Sequence, residues 1–146
     1  MIRKILVLFD TIDIRKEVVR YAIGLAKRTD SALMLLIILH PNFWKKSDPE
    51  EAMLGQGELE KAANEALAPH ISGIVREGVK VSTEVRIGEP HSEFLKFLAQ
   101  NASFQTIVWG GAEPLIKAKS PKTEDHWLGR AKSIIDCPLV VPSLRS

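Results

Sequence analysis

Cysteine occurs once in the 146 residues, at Cys137, so no disulfide can form within the chain and a thiolate metal site lacks its ligands. An excess of one charge is missing too. Twenty basic against eighteen acidic residues leave a net +2, a balance that by itself points neither to nucleic acid nor to an anionic membrane. Long apolar runs are absent: the longest, Ala32 to Leu39, falls far short of the about 20 residues a membrane span needs. At the N-terminus, Asp10 interrupts the apolar run before a signal-peptide core is complete. The four histidines, His40, His70, His91 and His126, are scattered without ligand spacing, so no metal is expected. These absences predict a cytoplasmic protein that does not engage membrane or nucleic acid.

What is present is enough apolar residue, 45%, to fill the core of one ordinary domain over residues 1–146. Ile5-Leu6-Val7-Leu8-Phe9 is too short for a core helix and fits a strand buried on both faces, in the middle of a parallel sheet. Asp10 stands at its C-terminal end, where open α/β sheets bind ligands. Asp13 is the expected N-cap of a helix whose apolar stripe runs Ile14, Val18, Tyr21, Ala22, Leu25 and Ala26. Ala32 to Leu39 is the second buried strand.

Proline and glycine break up residues 41–57, which read as a loop whose Phe43 and Trp44, followed by two lysines, offer a contact surface or a covered aromatic pair. Leu59, Ala62, Ala63, Ala66, Leu67, Ile71, Ile74 and Val75 keep one helical phase through Pro69, so one kinked helix is predicted, ended by Gly78. Lys80 to Ile87 alternates polar and apolar residues, as a strand near the sheet edge does. Gly88-Glu89-Pro90 opens a third helix with Pro90 in its first turn and Phe94, Phe97 and Leu98 inward. Thr106 to Trp109 is a fourth strand, broken by Gly110-Gly111. A fourth helix carrying Trp127, Leu128, Ala131, Ile134 and Ile135 precedes a short edge strand at Leu139-Val140-Val141, and Cys137 reads as core rather than nucleophile. Strands alternating with helices in this order predict a three-layer doubly wound α/β domain.

Several of these pieces, in this order, resemble the universal stress protein family. They are Lys4-Ile5-Leu6-Val7 leading to Asp10, Tyr21-Ala22 and Leu25-Ala26, Gly88-Glu89-Pro90, Ile107-Val108-Trp109-Gly110, and Cys137-Pro138-Leu139-Val140-Val141. The resemblance implies a flavodoxin-like parallel sheet of order 3-2-1-4-5 and a homodimer formed through the last strand, Leu139 to Val141. It also divides members into ATP binders and non-binders. Binders carry, after strand 4, glycine, two residues, glycine, nine residues, then glycine and a hydroxyl residue. Glycines admit phosphates to the backbone, and the next helix offers free N–H groups.

Only the first glycine of that motif, Gly110, is kept. The second position is Glu113, and the third falls at Thr123-Glu124 or Asp125-His126 according to register. Acidic residues would meet phosphates with like charge, so Thr123 reads as an N-cap and Glu124 and Asp125 as first-turn acids. Where binders have proline before the strand 1 aspartate there is Leu8, where they have glycine-serine there is Thr11-Ile12, and Trp109 takes a place usually held by a smaller residue. Asp10 reads as a turn-capping carboxylate, and with Asp13 as a pair of caps rather than a magnesium site.

Other chemistries on this fold lack their residues. A receiver domain needs an aspartate where Ile87-Gly88-Glu89 stands. A flavodoxin or an ATP pyrophosphatase needs a phosphate loop where Thr11-Ile12-Asp13 stands. No nucleophile has a base beside it, so no catalytic residue is assigned and no enzyme is expected. The expected role is a stress-response factor with a regulatory or protein-interaction task and an unidentified protein partner, without tight ATP binding and without another cofactor. The alternative is an ATP-dependent switch using Asp10, Ile38, Gly110 and Gly111, with Lys117, Lys119 and Lys122 on the phosphates.

Overall fold

The computed structural model describes residues 3–41, 56–101, 103–111 and 135–142. Within them run β1 (Arg3–Phe9), α1 (Lys16–Thr29), β2 (Ser31–Leu39), α2 (Gln56–Arg76), β3 (Val81–Ile87), α3 (Pro90–Gln100), β4 (Thr106–Trp109) and β5 (Leu139–Val140). The five strands form one sheet of order β3-β2-β1-β4-β5, parallel at every pairing. This is the doubly wound order that the resemblance implied. The predicted fourth helix lies outside the described residues, as do Phe43, Trp44, Glu113, Thr123, Glu124, Asp125, His126 and the three loop lysines.

The continuous apolar runs fill both faces of the sheet because successive strand side chains point to opposite sides. Ile5, Val7 and Phe9 of β1 and Leu33, Leu35, Ile37 and Leu39 of β2 pack with Val18 and Ala22 of α1 and Leu59, Ala63, Leu67 and Ile74 of α2. Leu6, Leu8, Met34, Leu36 and Ile38 point the other way, onto Phe94 and Phe97 of α3 and Phe104, Ile107 and Trp109. Each fully buried large side chain contributes about 1.5–3 kcal/mol, so the two central strands anchor both cores.

The helix ends show which local signals held. Gly78, at φ +81°, closes α2: its N–H bonds the Val75 carbonyl at 2.9 Å and the Val79 N–H bonds the Ile74 carbonyl at 3.3 Å. That is a Schellman motif, with Val79 and Ile74 both in the core. Pro69 is exposed inside α2, which continues as one helix. Val75, expected on its inner face, is 59% exposed, because it lies about 100° round the helix from the fully buried Ile74. On α3, Glu89 is the N-cap and accepts from the N–H groups of His91 and Ser92, with Pro90 in the first turn.

The expected cap of α1 is corrected. The N-cap is Arg15, not Asp13, and it makes no side-chain cap bond. Thr11 is the reason: its hydroxyl accepts from the Asp13 N–H at 3.1 Å, and Ile14 N–H bonds the Ile12 carbonyl, so a tight turn precedes the helix.

Candidate functional site

In a doubly wound sheet the ligand crevice opens at the C-terminal ends of the two strands where the order reverses. In the order β3-β2-β1-β4-β5 these are β1 and β4. The residues leaving them are Asp10 to Arg15 on one side and Gly110-Gly111 on the other. The register sets Leu8 beside Trp109, and the Gly110 N–H bonds the Leu8 carbonyl at 2.8 Å, so the two exits leave the sheet side by side.

Both glycines are buried, and the space a side chain would need is already taken. A Cβ on Gly110 would lie 2.3 Å from Cε1 of Phe9. One on Gly111 would lie 2.3 Å from Oδ1 of Asp10 and 2.5 Å from Cζ2 of Trp109. The glycines are therefore required by the protein's own packing. Trp109, in a place usually held by a smaller residue, is buried with α3 beneath the sheet end.

Arg15 completes the arrangement. From the start of α1 its Nη2 donates to the Gly111 carbonyl at 2.6 Å, joining groups 96 residues apart. Sequence reasoning passed over Arg15. No periodic pattern marks a side chain that crosses to another strand. The half-buried Asp10 carboxylate and the Arg15 guanidinium thus bracket Gly111. Ile38 stands apart from these three: it is fully buried in the core beneath α3, in register with Arg86 of β3. A nucleotide implied by the fold would need open backbone at Gly110-Gly111. Side chains of Phe9, Asp10 and Trp109 stand where a Cβ on these glycines would go, and Arg15 reaches the Gly111 carbonyl.

Other chemical groups lie elsewhere. Cys137 is half-buried against the α3 side; burial first, and the Asp136 charge second, push its thiol above the ordinary range, so the thiolate is disfavoured. Among the described residues no three His, Cys, Asp or Glu side chains come together as a metal site. No helix of the described residues is long and apolar enough to cross a membrane. A cavity of about 460 Å³ lies at the opposite end of the sheet, lined in part by Lys27, Asp30, Ser31, Gly78 and Lys80. It sits at the N-terminal ends of the strands, away from the switch point.

The fold and the crevice define a doubly wound, flavodoxin-like α/β protein with its switch point between β1 and β4. The sequence model described as the universal stress protein family matches residues 1–113. The chain belongs to the universal stress protein family. It is 26% identical over 119 residues to universal stress protein Sll1388 of Synechocystis sp., covering 73% of this chain and 77% of that one. Among solved structures, universal stress protein UspA from Lactobacillus plantarum superposes with a TM-score of 0.66 at 16% identity, covering 97% of each chain. The universal stress protein from Archaeoglobus fulgidus in complex with dAMP superposes at 0.58, also at 16% identity and 97% of each chain. At these identities the structural likeness speaks for the fold.

Proposed function

We propose that this protein is a regulatory member of its family that works through contact with another protein, as a homodimer paired through Leu139 to Val141, without catalysing a reaction and without tight ATP binding. The observation that carries the reading is the packing at the switch point. Phe9, Asp10 and Trp109 occupy the space beside the α-carbons of Gly110 and Gly111, and Arg15 ties Gly111 across the gap. Titration of the protein with ATP, followed by binding heat and tryptophan fluorescence, is expected to give no saturable signal below millimolar concentration. A micromolar dissociation constant would instead support the second reading, a nucleotide-dependent switch using Asp10, Ile38, Gly110 and Gly111. That reading draws on the relative solved with dAMP.

The dimer proposal is supported by β5. It is the edge strand, and Leu139 and Val141 pack inward against the α3-side core, whereas the half-buried Val140 joins neither core among the described residues. An edge of this kind is completed by a second strand of the same sequence. Val140→Lys is expected to elute as a monomer on size exclusion while keeping its circular dichroism spectrum. An unchanged elution volume rejects the interface.

A further inference from the structure

We infer that Arg15 is a latch that holds the switch-point crevice shut against nucleosides. The inference deepens the reading above and rests on its claim that the crevice is closed. Arg15 is the N-cap residue of α1, with φ −79° and ψ 126°, yet its side chain makes no hydrogen bond to its own helix. It reaches across the switch point instead, to the Gly111 carbonyl at 2.6 Å. Gly111 is buried, with the Asp10 carboxylate directly over its α-carbon. The second residue beyond β4 is therefore gripped from both sides by residues that follow β1.

That bond spans the exits of β1 and β4, where the ligand crevice of this fold opens. The hydrogen bond is charge-assisted and half-buried, the kind that costs most to break without a replacement acceptor. A phosphorylated ligand brings such an acceptor, whereas an uncharged nucleoside brings only hydroxyl and ring acceptors. Adenosine therefore isolates the latch from plain charge attraction, which removal of Arg15 would also abolish.

The test is calorimetric titration of adenosine into the wild type, Arg15→Ala and Arg15→Lys, with thermal unfolding of each recorded in parallel. Arg15→Ala is expected to bind adenosine about tenfold to a hundredfold more tightly than the wild type, the span of one charge-assisted hydrogen bond. Arg15→Lys, which keeps a charged donor, should stay with the wild type. A residue that merely braces the fold would lower the melting temperature and leave adenosine affinity where it was. Equal or weaker binding by Arg15→Ala overturns the latch. Should Arg15→Ala fail to fold, Arg15→Met keeps the apolar stem and carries the same expectation. Micromolar ATP binding by the wild type would sink the functional reading by itself. The ratio of adenosine affinities between variant and wild type still judges the latch in that case.

Discussion

Gly110→Ala is expected to destabilise the protein by about 3 kcal/mol, the upper part of the range for overpacking a filled core. The added methyl would stand 2.3 Å from Cε1 and 2.6 Å from Cδ1 of Phe9, inside contact distance for any carbon pair. Phe9 cannot swing clear, because it is fully buried among Val7, Val18, Val19 and Leu39. Relief has to come from separating β1 from β4, which breaks the bond from the Gly110 N–H to the Leu8 carbonyl. Thermal unfolding should show a fall of about 6–12 °C for a chain of this size. Gly73→Ala is the control: it lies in α2 with nothing within 4 Å of the added methyl. There alanine should stabilise by up to about 1 kcal/mol, because glycine is a poor helix former. Adding Phe9→Leu to Gly110→Ala should recover part of the loss, a coupling of about 1 kcal/mol or more between touching residues. If Gly110→Ala melts with the wild type, the packing at the switch point is looser than described and the argument for a filled crevice weakens with it.

Arg86→Met should cost about 2–3 kcal/mol. Arg86 on β3 is 14% exposed and pairs with Glu84, 33% exposed, and with Glu93 of α3, 20% exposed. It also donates to Gln100, and its guanidinium lies 5.5 Å from the centre of the Phe97 ring. One cation thus serves two half-buried carboxylates and roofs the α3-side core. Breaking a buried pair from one side costs about 3–5 kcal/mol, reduced here because Glu84 reaches solvent and Lys96 stays 3.5 Å from Glu93. Removing the partner as well, in Glu84→Leu with Arg86→Met, should restore much of the loss, since an apolar pair leaves no charge stranded. Urea unfolding of the three variants checks this. A double variant no more stable than Arg86→Met would show that the ion pair is not what holds the edge strand.

The Arg86 cluster also marks where sequence legibility ended. Alternation in Lys80 to Ile87 correctly placed β3 at the edge, but it gave Glu84 and Arg86 no role of their own. In the fold they stand in register with Leu36 and Ile38, and Arg86, paired with Glu84, lays its guanidinium over the Phe97 ring. At the candidate site the sequence pointed to Asp10, Gly110 and Gly111, and the structure brings these three together beside Arg15. It could not show that Phe9, Asp10 and Trp109 take up the room those glycines leave. A glycine kept for phosphate and one kept for a neighbouring ring are the same letter. The cap of α1 failed for a related reason: Asp13 has the right side chain, but Thr11 had already spent that stretch on a turn.

Chain composition and periodicity by themselves determined the strands, their burial on two faces and the alternation with helices. These are local quantities, set by which residues repeat every two or every 3.6 positions. Only the tertiary structure decided which side chains meet at the switch point, that Arg15 reaches Gly111 from 96 positions away, and that Arg86 shields the α3-side core. Contacts between distant segments depend on how the layers stack, and no short window of sequence carries that geometry.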